Sequence, residues 1–446
     1  MKRMIALLIA FVLALSAAFF VNAATEDEIS AKWDSITKND SVISITPGAD
    51  STQMNFCWMS DLFSDDAFLY GMKPDLSDAE GAEIKKSLTA FFKKECNVTL
   101  EGLRENTTYY YRYYLGGLQS DIYSFTTDAK DEGFTALFVS DAQIGRSGDW
   151  QDDKVKLHDT TGWYTTLEQA TENHPDISVC LSTGDQVQNA TASVLYNLFL
   201  APDTLRSLPI AVTPGNHEIG SPYLGHHFSN ANEFENTVVP ATIARPYYFT
   251  KGNALFIVLN TNNVFMLDHE ALIAEAVETY PDAQWRVIMM HHGVYSCEDK
   301  DDDNPNNRNA LVPMFEKYDI DLVLSGHSHM YSRTYVMKNF EKADEGIVYI
   351  EGGCASGSNC VLTPEELPDY AVVGNRIKSP VYTVLTFSED EVGVEAYVVE
   401  NGESVQIDET TIVRNERDDS NAQMSTGNKL LHFILSLPNR FFSLFY

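Results

Sequence analysis

The sequence predicts an α/β protein: a small all-β sandwich followed by a larger domain in which buried strands are covered by helices. Three observations predict it. Residues 52–58 alternate apolar and polar side chains, apolar runs past Asp128 alternate with helical stretches, and residues 381–414 return to a β pattern.

The chain opens with Lys2 and Arg3, continues through ALLIAFVLALSAAFFV and closes on Val21-Asn22-Ala23. That is the charged start, apolar middle and small-residue exit of a secretory signal over residues 1–23, with the mature chain beginning near Ala24 and destined for the outside of the cell. An uncleaved anchor is the alternative, but the apolar run is short for a full membrane span.

Residues 25–127 read as a small antiparallel β domain. Thr52, Met54, Phe56 and Trp58 alternate with Gln53, Asn55 and Cys57, the two-residue period of a strand with one buried face. LEGLRENTTYYYRYYLGG and DIYSFTT read as two strands joined by a glycine-containing turn. Size and strand spacing suggest a sandwich. The tyrosines at 109–114 suit strand packing better than a carbohydrate stack. With no titratable constellation here, the domain is expected to support rather than react.

Residues 128–414 carry a different rhythm. FTALFVS precedes a helix through Trp163, Leu167 and Ala170; ISVCLST precedes SVLYNLFL; ALFIVLN precedes HEALIAEAVETY; WRVIMM precedes ALVPMFEKY. Such alternation predicts buried, mostly parallel central strands. Residues 415–446 form a polar linker and an aromatic tail, LLHFILSLPNRFFSLFY from 430. Broken by Pro438, Asn439 and Arg440, the tail is a poor membrane span. Contact with a membrane surface and packing on the preceding domain both fit it.

The formal net charge of −33 excludes a polyanion binder. So negative a surface repels DNA, RNA and anionic membranes at long range, and phosphate chemistry would need a local positive centre such as bound metal. The acidic run DKDDDNPNN at 299–307 lacks the glycine and terminal glutamate of an EF-hand loop and reads as solvated. Of the six cysteines, Cys57 is expected to pair with Cys96 and Cys354 with Cys360, leaving Cys180 in an apolar core.

The chemistry sits where strands end. FTALFVS runs into Asp141-Ala142-Gln143, ISVCLST into Gly184-Asp185, and LPIAVTP into Gly215-Asn216-His217-Glu218. WRVIMM runs into His291-His292 and DLVLS into Gly326-His327-Ser328-His329. In α/β sheets the loops at the carboxyl ends of strands gather on one edge, so residues far apart in sequence should converge there. Alone, Asp185 or Asn216 could cap a helix and the histidines could be ordinary core residues. Together they form an oxygen and nitrogen donor set without thiolate, suited to zinc, iron or manganese. The neighbouring glycines permit tight turns.

The ordered series Asp141-x-Gln143, Gly184-Asp185, Gly215-Asn216-His217-Glu218, His291 and Gly326-His327-x-His329 resembles the calcineurin-like metallophosphoesterases. With Tyr331, Arg333 and a preceding β domain of fibronectin III-like type, it looks most like their purple acid phosphatase branch. The resemblance implies a four-layer α/β/β/α catalytic domain and two divalent or trivalent metal ions. By that likeness Asp185 bridges the metals, Asp141 and His329 hold the first, and Asn216, His291 and His327 hold the second. His217 would be catalytic, and His291 rather than His292 is the expected ligand. Two departures stand out. Gln188 occupies the place of the tyrosine that ligates iron in purple enzymes, and Gln143 stands where many non-purple relatives place a histidine ligand.

The expected activity is hydrolysis of small phosphate monoesters: metals lower the pKa of a bridging water and present hydroxide to phosphorus, while His217 protonates the leaving oxygen. The chain has no Gly-x-Ser-x-Gly elbow and no phosphate-cradling P-loop. A phosphodiesterase on the same core is the near rival. A non-catalytic surface or adhesion protein on a decayed scaffold is the distant one, favoured by Gln143 and Gln188.

Overall fold

A computed structural model describes residues 24–37, 42–89, 93–238, 245–297, 305–359, 366–375, 378–417 and 423–442. The predicted signal, Cys360 and most of the acidic run at 299–307 lie outside them.

The amino-terminal domain is two packed sheets. One orders the strands Ser44–Pro47, Met54–Asp61, Lys93–Leu100 and Lys85–Leu88; the other centres on Ala67–Gly71 and Thr108–Leu115. Alternation places Phe56, Trp58, Val98, Tyr111 and Phe125 in one core. Tyr111 stacks on Phe68 with centroids 5.4 Å apart, so this tyrosine packs the sheets. Two expectations fail. Residues 24–37 form a helix, not part of a sheet, and its Ile36 joins the core of the larger domain. Cys57 and Cys96 both carry free thiols. The strand register pairs Cys57 with Asn97 and Trp58 with Cys96, which turns the two thiols to opposite faces of one sheet. Cys354 is likewise a free thiol, its Sγ 3.1 Å from the Asp141 carbonyl oxygen.

In the larger domain a six-stranded sheet runs in the order Ile210–Val212, Ile177–Ser182, Phe134–Val139, Val381–Phe387, Glu391–Glu400 and Glu403–Val413. A seven-stranded sheet faces it, its parallel centre made of Ala254–Val258, Trp285–His292, Leu322–Gly326 and Val348–Gly352. Each central strand is apolar on both faces because both are covered. Phe138 and Leu181 meet Met289 and Leu324 between the sheets, whereas Leu137 and Val139 turn outward to Trp163 and Leu167 of the helix Asp153–Asn173. On the far side Ile288 and Met290 pack on Leu272 and Phe315 from the helices Met266–Thr279 and Pro305–Lys317. The order of layers is therefore α/β/β/α.

The two domains are fastened together. Tyr111 donates its hydroxyl to the Arg206 carbonyl at 2.7 Å, His226 meets Glu95 at 2.7 Å, and the buried Arg206 guanidinium reaches the Ile43 and Leu200 carbonyls. The tail folds as a helix, Thr426–Phe442, lying on the larger domain and running through Pro438.

Candidate metal centre

Asp141, Gln143, Asp185, His327 and His329 all hold positive φ angles, 49°, 38°, 48°, 77° and 56°. Left-handed backbone at non-glycine residues is uncommon and concentrates where surrounding structure enforces it. Asn216 and His217 sit instead in a short turn of 3-10 helix and His291 lies within its strand; at the other three of the five strand ends the left-handed residues follow the strand. Glycine is required beside them: a Cβ on Gly184, itself at φ 102°, would strike the His291 ring, and one on Gly326 would strike Ser140 and Asp141.

These turns bring the predicted residues together. Asp141 Oδ1 lies 3.6 Å from His329 Nε2, and Asp141 Oδ2 accepts the His327 backbone N–H at 2.9 Å. Gln143 Nε2 is 3.4 Å from Asp185 Oδ2. On the other side of Asp185, Oδ1 is 3.4 Å from His291 Nε2 and accepts the His217 backbone N–H at 2.9 Å. Asn216 Oδ1 lies 2.9 Å from both His291 Nε2 and His327 Nδ1. Asp185 thus stands between two donor groups, one of Asp141, Gln143 and His329 and one of Asn216, His291 and His327.

The electrostatics are those of a cation site. Burial drives the Asp141 carboxyl up to about 6, partly opposed by His329 and His291. Burial acts the same way on Asp185, yet the charges and hydrogen bonds of His291 and His217 hold it below the usual carboxylate range. Among the described residues, Asp141 Oδ1, Gln143 Oε1 and His329 Nδ1 are buried without a hydrogen-bond partner. Such orphaned acceptors are costly unless something positive meets them. His291 donates Nδ1–H to the Thr183 carbonyl at 2.8 Å, which turns Nε2 to the site as the atom a metal would take in exchange for its proton. The residues present therefore fit metal.

Around this centre the structure adds groups given no role from the sequence. Glu218 is fully buried beneath it; its Oε2 accepts the N–H groups of Asp185 at 3.1 Å and Gly215 at 2.7 Å. Burial and then the Asp185 charge push its carboxyl up to about 8. The Gly-Asn-His-Glu motif gave its position but not this bracing of two loops. His292, set aside in favour of His291, stands with its ring 4.6 Å from that of His327, held by Thr261 Oγ1 at 2.8 Å. Burial, then the neighbouring His291 and His327, lower it to about 3, so it stays neutral. Tyr331 and Arg333, just past His329, both reach Asp408 on the outermost strand of the facing sheet, at 2.7 Å.

Residues 134–331 match the family model of the calcineurin-like phosphoesterases, and residues 23–127 match that of the purple acid phosphatase N-terminal domain. The chain thus carries a calcineurin-like phosphoesterase domain. Purple acid phosphatase 21 of Arabidopsis thaliana is 27% identical to this chain over 311 residues, 65% of each. Phosphoenolpyruvate phosphatase of Allium cepa is 26% identical over 178 residues, 36% of this chain and 34% of its own. The matched region thus spans less than two thirds of these relatives. A purple acid phosphatase from yellow lupin seeds shares the fold with a TM-score of 0.67 at 14% identity, over 86% of this chain and 76% of that one. PhoD does so with a TM-score of 0.58 at 13% identity, over 90% and 98%.

Proposed function

We propose that this metallophosphoesterase is an exported hydrolase of small phosphate monoesters that works with two metal ions. The single observation that carries the reading is the meeting of eight residues, Asp185 among them, from five strand ends, with buried polar atoms of Asp141, Gln143 and His329 left unpaired. Asp141, Gln143, Asp185 and His329 would hold one ion, and Asp185, Asn216, His291 and His327 the other. Zinc, iron and manganese all suit these donors. Bound, such ions supply Lewis acidity that acidifies water and neutralises phosphate oxygens.

The protein's own groups do the rest. His217 is part-exposed at the mouth, with Nδ1 2.9 Å from the Gln188 carbonyl and Nε2 3.8 Å from Asp185 Oδ2. In the imidazolium form Nδ1–H donates to that carbonyl and Nε2–H faces the site. When water oxygen bonds to phosphorus and the ester P–O bond breaks, the departing oxygen takes the Nε2 proton. The leader-like residues 1–23 support export.

Zinc-, iron- and manganese-loaded samples should release phenolate from an aryl phosphate faster than from a bis-aryl phosphate, and Asp185→Asn should lose both metal and turnover. Preference for the diester would point to a phosphodiesterase. A folded sample that takes up no metal would favour the non-catalytic scaffold.

A further inference from the structure

The helix Thr426–Phe442 is mounted with its polar side inward. Asn428, His432, Ser436 and Asn439 recur at helical spacing and face the body. Asn428 Nδ2 donates to Glu270 at 3.0 Å, His432 Nε2 meets Asp268 Oδ1 at 3.0 Å, and Asn439 Nδ2 donates to the Thr237 and Val238 carbonyls at 2.8 Å. His432 also stacks on Phe234, centroids 6.1 Å apart. The opposite side presents Leu430, Leu431, Phe433, Ile434, Leu435 and Leu437, each 39–58% exposed. A helix on a globular protein ordinarily buries its apolar stripe and exposes its polar one. Here the arrangement is reversed, and the polar contacts fix the reversal.

A contiguous apolar face of this kind marks an interaction surface. Charge decides what covers it. The chain carries 64 Asp and Glu residues, yet none falls between 420 and 446, while Lys429 and Arg440 do. Asp268 and Glu270 are turned under the helix and bonded to it. An apolar stripe with the exposed Lys429 at its amino end and no acidic residue in its own sequence complements a phospholipid surface, where acyl chains accept the leucines and a phosphate accepts the cation. A second copy of the chain would bring its own net charge of −33 against this one. A zwitterionic phospholipid surface brings no such opposing net charge. No helix among the described residues is long and apolar enough to cross a membrane, which leaves lying on the surface.

We propose that the exposed face of Thr426–Phe442 binds a phospholipid bilayer surface and holds the protein against it. The test is flotation of the full mature chain with vesicles of phosphatidylcholine alone and of phosphatidylcholine mixed with phosphatidylglycerol. The wild-type chain should float with both, and at least as well with phosphatidylcholine alone. Leu430→Glu with Ile434→Glu, at the centre of the apolar face, should reduce the bound fraction at least about tenfold while the melting temperature stays put. Should that variant melt lower, Leu430→Ser with Ile434→Ser carries the same test. The proposal is overturned if the wild-type chain stays at the bottom of the gradient, or if the variant floats equally well. It is also overturned if sedimentation finds a vesicle-independent dimer that the variant abolishes, which would make the occupant a second copy.

Discussion

The main-chain carbonyl of Gln188 lies 2.9 Å from Nδ1 of His217. A backbone acceptor at this point survives any change of the Gln188 side chain. It fixes the imidazole with Nδ1 turned away and Nε2 toward Asp185. His217→Ala should therefore lower kcat on an aryl phosphate about 100- to 10,000-fold, the range for losing a proton donor, with metal content unchanged. Rate assays paired with elemental analysis check this; an unaltered rate would remove His217 from the chemistry.

Gln143 offers a neutral amide oxygen where a stronger donor would hold metal more firmly. Gln143→His should slow loss of the first metal during dialysis, and Gln143→Ala should hasten it by about tenfold, the lower end of what a change in the supporting donors does to affinity. Metal-to-protein ratios followed over time would show it. Equal loss from all three proteins would mean the Gln143 oxygen binds nothing.

The side chain of Gln188 supplies no phenolate. Iron-loaded protein should therefore lack a visible phenolate-to-iron charge-transfer band. A purple preparation refutes the placement of Gln188 at that position.

His292 brings a neutral imidazole beside His291 and His327. Their ligand atoms lie within 4.8 Å of one another, close enough to share an ion. Cobalt substitution offers a spectral readout: His292→Ala should weaken retention in the second position about tenfold and change the cobalt absorption. Identical spectra for both proteins would confine His292 to its bond with Thr261.

Arg333 holds Asp408 with Nε at 2.7 Å and Nη2 at 2.9 Å, and Tyr331 adds its hydroxyl at 2.7 Å. Burial alone would raise the Asp408 carboxyl, but the hydrogen bonds and charge of Arg333 and Tyr331 lower it from its ordinary value. A carboxyl depressed on folding stabilises above its unfolded pKa, near 3.9, and loses that contribution as pH falls through the folded value. Asp408→Ala strands a largely buried guanidinium and should cost about 3 kcal/mol at neutral pH, less in strong acid. Urea melts at neutral and acid pH separate the two; a pH-independent difference would show that packing, not the ion pair, is lost.

Much of this was legible from residue order because five strands of the larger domain are apolar runs that lead into a donor. Phe134–Val139 into Asp141 and Leu322–Gly326 into His327 needed no more than periodicity and the edge rule. What could not be read depends on register or on long-range partners. Cys57 and Cys96 looked pairable until a one-residue offset between adjacent strands set them on opposite faces. The role of Glu218 depends on two loops that only the folded sheet brings near. The helix Thr426–Phe442 has an ordinary amphipathic pattern; which side faces inward was decided by Asp268 and Glu270, more than 150 residues away.

The left-handed turns at Asp141, Gln143, Asp185, His327 and His329 make mutagenesis of this rim speak with two voices. Alanine there deletes a donor and also forces a β-carbon residue with no compensating side-chain bond into a disfavoured conformation, at a penalty of about 1–3 kcal/mol. Asparagine tolerates the same backbone far better. At Asp141 and Asp185, then, the asparagine exchange isolates the loss of charge, while an alanine scan would confuse a damaged scaffold with a missing ligand.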